Sequence, residues 1–360
     1  MYGSRREESL LSTQHNIVDR WPVYLAAGML AFSAVMMFAI TPVVVSTIER
    51  HYGFREGQVG DIVACYFGAV TAVSLTAFVW VRRFDWRLIA VVGQGIAVAS
   101  LFATMAARDF GQLAALMFVA GIGCGVTFAL LLTLLGDSDN PDRAFAINLF
   151  LQAAPAPVML LALPMVFAND AGDMRRLSIA MGGTVLLMTL GIPWLPRAGR
   201  KEERKCQGQM RSALWQPIAG LVVTFLFSTS YTAPWTFIEQ AGAGRGLDPM
   251  TISICLAGAQ VASILGAAVA AVISNRYGEL LPVCTGVVVY LVGIYCLDIF
   301  QGRALFGMGA LLILLAGELS SRVFAWFDCR SRRGRSSYRF VHREYSGTFS
   351  CLSGYGRSTL

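Results

Sequence analysis

The sequence predicts an all-α polytopic membrane protein, a helical bundle of about ten spans split six and four by a polar linker. Three observations predict it. The 360 residues are 56% hydrophobic and only 14% charged, with a mean hydropathy of +0.59, whereas a soluble domain carries about 25% charged residues. Ten apolar runs approach the length of about 20 residues that a bilayer requires. None alternates as a barrel strand would, so helix is the form that satisfies its own backbone in lipid. The longest charged interval inside the apolar region, Arg197 to Arg211, leaves six runs before it and four after it.

Taken in order, residues 1–20 are polar (Arg5, Arg6, Glu7, Glu8, Asp19, Arg20) and read as a cytoplasmic N-terminal segment. The first apolar run is too long for the core of a secretory signal and lacks a cleavage site. Runs at 21–47, 62–81, 88–107, 111–135, 144–168 and 177–195 form an N-terminal half, 21–196. Residues 197–212 form a cytoplasmic linker. Runs at 213–238, 250–274, 280–297 and 304–320 form a second, four-span half, 213–320. Residues 321–360 hold eight Arg and eight Ser without a spanning run, and read as a basic, disordered tail.

Charge sets the expected orientation. With the N-terminus inside, the inner segments hold Arg5, Arg6, Arg20, Arg82, Arg83, Arg87, Arg143, Arg197, Arg200, Lys201, Arg204, Lys205, Arg211 and Arg276. The outer loops hold Arg50, Arg55, Arg108, Arg175, Arg176, Arg245 and Arg303, so the count is 14 against 7. Positive residues collect on the cytoplasmic side, which also explains the formal charge of +7 without a nucleic-acid partner. The eight cysteines, at 65, 124, 206, 255, 284, 296, 329 and 351, lack metal-site spacing and read as small apolar packers. The three histidines, at 15, 51 and 342, are too scattered for a metal site. No cofactor is implied.

An internal repeat underlies the two halves. Gly53-Phe54 precedes the second run and Arg83-Phe84 follows it; Gly246-Leu247 precedes the eighth and Arg276-Tyr277 follows it. The interval is 30 residues in both copies and the offset between them is 193. Pro42 and Pro234 fall at nearly the same offset. Transporters built from repeats place their site between them, near the midplane.

The stretch from Gly266 to Asn275-Arg276-Tyr277-Gly278 resembles the loop signature of the major facilitator superfamily, a Gly followed downstream by Asp-Arg-x-Gly, with Asn275 where the family has Asp. The copy at Val81 to Arg87 keeps the basic residues and loses the glycines. Gly121-Ile-Gly123-Cys-Gly125, and Asn140-Pro-Asp-Arg143 leading to a fifth run with Gln152, also look like this family. The resemblance covers most of residues 20–320. It implies secondary active transport of a small organic solute in the bilayer, in a bacterial inner (plasma) membrane, with protons as a candidate coupling ion. It also implies twelve spans, so the last two are missing here. The tail is then either native, lying on anionic lipid, or the product of a shifted frame near residue 320. The abrupt change in composition favours the second, and a transport-incompetent remnant is the alternative function.

Candidate site residues follow from polarity at membrane depth, which costs energy unless it is paired or used. Asn148 and Gln152 share a face of span five; Ser228 and Tyr231 lie in the most polar patch of any span, just before the helix-breaking Pro234; Gln260 sits near the middle of span eight. These are the substrate-cavity candidates, with Gln94 behind them. Trp235 reads as an interface anchor. Arg83, Asn275, Arg276 and Gly278 are candidates for gating, the alternative being topogenic charge alone. Gly121, Gly123 and Gly125 allow close helix approach. Glu239, Asp298, Asp61 and Glu318 lie near span ends, so none is an evident midplane proton carrier. No span carries paired carboxylates, a His-rich motif or a Ser/His dyad, which argues against an enzyme.

Overall fold

A computed structural model describes residues 17–166, 173–198, 226, 229–230, 232–277, 280–299 and 302–320. Every regular element among these is helical. The expected linker beyond Ala198, the tail 321–360, and the candidates Ser228, Tyr231 and Gly278 lie outside the described residues.

Helix α1 (Trp21–Tyr52) is the centre of the bundle. At 1.5 Å per residue its 32 residues extend about 48 Å, more than the hydrocarbon core. It is apolar on all sides because it is buried on all sides: Leu30, Met36, Met37, Ile40, Val44 and Ile48 are each at most 2% exposed. Helix α2 (Glu56–Trp80) is equally apolar but buries only one stripe, including Ile62, Tyr66 and Ala69. Its outward Phe78 is 86% exposed, as expected of a side chain meant for lipid.

Helices α3 (Trp86–Ala103) and α4 (Phe110–Gly136) start at Asp85 and Asp109, whose carboxylates accept from backbone amides of the first turn. Such caps satisfy donors that the helix itself cannot. Asn140 caps α5 (Pro141–Ala153), with Pro141 in the first turn, where its missing N–H costs nothing. The fifth span was expected as one helix, 144–168. It is one membrane-length apolar span, Arg143–Met165, with a single turn residue, Ala154, between α5 and α6 (Pro155–Val166), where Pro155 has no N–H to donate to the preceding turn. Asp173 caps α7 (Met174–Met188), which tightens into a 3₁₀ turn, Thr189–Trp194.

The later elements are α8 (Ile238–Ala243), α9 (Pro249–Tyr277), α10 (Leu280–Ile299) and α11 (Arg303–Ser320). Seven helices among the described residues are long and apolar enough to cross a membrane, and two shorter apolar ones are Cys284–Asp298 and Arg303–Gly317. Most of the expected seventh span, 213–238, lies outside the described residues.

The repeat has a structural counterpart. Gly53 and Gly246, 193 apart, both adopt the left-handed backbone, with φ of 67° and 72°. Gly53 closes α1 and Gly246 closes the turn after α8. A side chain would be strained at either position.

Candidate functional site

Three sets of polar groups lie where α1 meets its neighbours. The first is within the first six spans, where Gln94 Nε2 donates to Ser33 Oγ at 2.7 Å and to Thr127 Oγ1 at 3.1 Å. This joins α1, α3 and α4 through a side chain that is 1% exposed. Gln94 is therefore held by two neighbouring helices, though its Oε1 has no hydrogen-bond partner.

The second set ties the Trp21 end together. Asp19 accepts from Tyr24 Oη, Ser138 Oγ and the Asp139 amide. Burial raises its carboxyl, but these hydrogen bonds outweigh burial and hold it below its ordinary value. Arg82 makes a bidentate pair with Asp137, at 2.7 and 3.3 Å. Arg87 Nε donates to Leu195 O at 2.6 Å. Arg83, nominated from the sequence, is exposed, as is Arg82, whose guanidinium bridges the end of α2 to Asp137 at the end of α4.

The third set crosses from α1 to segment 232–243. Pro42 has no N–H, so Phe38 O loses its helical donor. Trp235 Nε1 donates to that carbonyl at 3.0 Å. Trp235 is 0% exposed, which corrects its reading as an interface anchor: its N–H has a backbone acceptor waiting inside the bundle. One turn further on, Ser46 Oγ donates to Glu239 Oε1 at 2.6 Å. Glu239 is 8% exposed and lies 3.8 Å from Arg50. Gln240 Nε2 donates to Glu49 Oε2 at 3.0 Å. Ser46 and Glu239 are 193 apart, the offset of the sequence repeat, and that offset is the signal that could have found them.

The cavity candidates are only partly brought together. Asn148 Nδ2 makes a long 3.4 Å bond to Gln152 Oε1, and Asn148 Oδ1 is buried without a partner. Gln260 is 7% exposed with Nε2 likewise unpartnered. The two lie on α5 and α9, which touch, while α9 packs more closely on α6. A separate cavity of about 330 Å³ is lined by Phe32, Pro155, Met159, Leu163, Thr184 and Met188 among others. It is nearly all apolar and includes none of the nominated residues. Asn275 and Arg276 occupy the last turn of α9. Asp61 and Asp298 are exposed.

The glycines of α4 define close approaches. A Cβ on Gly123 would sit 2.5 Å from Gly93 O and 2.6 Å from Ala97 N of α3. On Gly121 it would collide with Tyr66 O of α2, and on Gly125 it would lie 2.9 Å from Val70 Cα. No group of His, Cys, Asp and Glu among the described residues could hold a metal.

A sequence model of the Major Facilitator Superfamily matches residues 26–326. The chain belongs to this superfamily. No curated protein sequence matches, but solved structures of transporters share its fold. The D-xylose-proton symporter superposes with a TM-score of 0.64 at 11% identity, over 84% of this chain and 81% of that one. The nucleoside transporter NupG, as a mutant, gives 0.57 at 14% identity over 85% and 81%. A bacterial homolog of the human lysosomal transporter Spinster, inward-facing and unoccupied, gives 0.57 at 13% identity over 83% and 74%. A transporter of this superfamily acts by presenting one site to the two membrane faces in turn.

Proposed function

We propose that this superfamily member is a secondary active transporter that carries a small, neutral, hydrogen-bonding organic solute by alternating access. The observation that carries the reading is that two of the unmatched buried amide atoms, Asn148 Oδ1 and Gln260 Nε2, lie on helices that touch, α5 and α9. A buried polar atom without a partner costs about 1–3 kcal/mol, and is retained where a ligand completes it. One is an acceptor and the other a donor, which suits a hydroxylated or amide-bearing solute better than an organic ion. Nucleosides and D-xylose, the solutes named for two of the structural relatives, meet that requirement and open the panel to be tested.

The 193-residue correspondence supports two halves, 21–196 and 213–320, joined by 197–212. Excess positive charge supports a cytoplasmic N-terminus and linker, in a bacterial inner membrane. Impermeant maleimide labelling of cysteines placed at Glu203 and Ala243 tests this, and labelling of position 203 from outside overturns it. Arg83, Asn275, Arg276 and Gly278 are proposed to bear on gating from that inner side, and Ser228 and Tyr231 to line the cavity from span seven.

The test of the site uses purified full-length protein, a solute panel, and thermal stabilisation followed by uptake into proteoliposomes. Asn148→Leu and Gln260→Leu should fold at least as well as the native chain, because each removes an unmatched polar group. Both should lose stabilisation by the solute that the native protein binds. Native-sized stabilisation in both variants removes this pair from the site.

A further inference from the structure

We propose that Glu239 is a proton-binding site that, when protonated, locks the Tyr52 end of α1 to the start of α8. The inference rests on the alternating-access reading, and assigns the coupling ion and its residue.

The geometry at Ser46 carries it. Ser46 Oγ lies 2.6 Å from Glu239 Oε1 and 3.2 Å from Val43 O. A hydroxyl has one proton and two lone pairs. If Glu239 is charged, it and the Val43 carbonyl compete for one donor. If Glu239 takes up an aqueous proton, its O–H donates to Ser46 Oγ, and the Ser46 O–H is free to donate to Val43 O. Both hydrogen bonds are then made and no charge is buried. Arg50 is a poor counter-ion for the charged form: it stands 3.8 Å away with its side chain 37% exposed, beyond hydrogen-bond distance.

Packing explains why the proton reports on closure. The Glu239 carboxyl is covered by α1 on one side. Gly242, one turn on in α8, lies against Ile252 of α9 and Phe306 of α11. Separating α1 from α8 would hydrate the carboxyl and remove the reason for neutrality. Closure therefore favours the proton, and by linkage the proton favours closure. Loss of the proton favours opening at the Tyr52 end, so a proton taken up there closes that face behind it.

The other charged groups nearby are accounted for. On α1 these are Arg50, Glu49 bound to Gln240, and the exposed His51, which lies edge-on to Tyr52. On the α8 side it is Arg245, half-buried. At the start of α9, Asp248 is engaged by Thr251 and by Arg303 of α11.

The test is amide hydrogen exchange of the full-length protein, read by mass spectrometry between about pH 8 and pH 5, within the range over which a buried Glu titrates. Rates are divided by the intrinsic rate at each pH. Protection of 44–52 and 237–246 should rise as pH falls, by up to about tenfold per unit for one linked proton. Glu239→Gln mimics the neutral form and should hold high protection at every pH. His51→Gln should keep the native dependence. Peptides 93–101 and 120–127 report whether a variant is folded. If Glu239→Gln is not, Ser46→Ala serves, and should shift the transition to higher pH by removing the hydroxyl that donates to the charged carboxylate. A pH-independent native protein, or a folded Glu239→Gln that titrates like the native chain, overturns the proposal, as does an unshifted Ser46→Ala. None of these readouts needs a solute, so failure to find a transported solute and failure of the proton site are distinguishable.

Discussion

Replacing Gly123 by Ala adds one methyl group where α4 approaches the backbone of α3 closely. The new Cβ would stand 2.5 Å from Gly93 O, 2.6 Å from Ala97 N and 3.0 Å from Ala97 Cβ. Contacts of this kind are at rest near 3.5 Å or beyond, so α3 would have to retreat by about 1 Å. Two of the three obstructing atoms are backbone and cannot rotate away. Overpacking costs about 1–3 kcal/mol, and the backbone obstruction places Gly123→Ala toward the upper figure, a roughly hundredfold loss in the folding equilibrium. The retreat would also stretch the Gln94 bonds to Ser33 and Thr127, since Thr127 is one turn beyond Gly123. Gly95→Ala is the control. It lies on the same helix, with nothing within 4 Å of its added Cβ, and Ala is the better helix former by about 1 kcal/mol. The assay is unfolding of purified full-length protein by SDS titration in mixed micelles, followed by tryptophan fluorescence. Gly123→Ala should unfold at a clearly lower SDS fraction, and Gly95→Ala at or above the native value. Coincident transitions for the two variants would refute the argument, by showing that α3 and α4 have slack that the geometry denies.

Two further outcomes are expected in the same assay. Arg82→Ala should cost about 1–2 kcal/mol, between the values for exposed and buried pairs, because Arg82 is half-exposed while the Asp137 side chain is 5% exposed; Arg83→Ala should stay within about 0.5 kcal/mol, and equal losses would contradict the assignment of the bridge to Arg82. Asp19 is held below its ordinary value by Tyr24, Ser138 and the Asp139 amide, against burial, so its contribution is present above the ordinary carboxylate range and lost as pH falls through its lowered folded value. Asp19→Asn should therefore be less stable than the native chain near neutrality and converge with it in acid; a gap that persists to low pH would mean that the hydrogen bonds, and not the charge, carry the effect.

The division between chain and fold can be drawn at particular residues. Long apolar spans were legible because a bilayer demands them; their starts were placed two to three residues late at 88, 144 and 177 and one late at 111, because the caps Asp85, Asp109, Asn140 and Asp173 are polar residues outside the apolar runs. Gly53 and Gly246 stood out in the sequence at the 193-residue offset, and both adopt the left-handed backbone that restricts residue choice to nearly one type. Hydropathy did not show which helix would be central: α1 and α2 are almost equally apolar, yet α1 is buried along most of its length and α2 along one stripe. Lipid and protein interior are equally apolar, so composition cannot tell a lipid-facing helix from a core one. Polar partners were hidden for a related reason. Glu239 read as a residue near a span end, Trp235 as an anchor and Arg83 as the basic residue of the loop motif. Only folding brought Ser46 to Glu239, the Phe38 carbonyl to Trp235 and Asp137 to Arg82. A single polar residue in an apolar run carries no mark of its partner, because the partner comes from a helix far away in sequence, and its reach and direction are set by how the two helices pack.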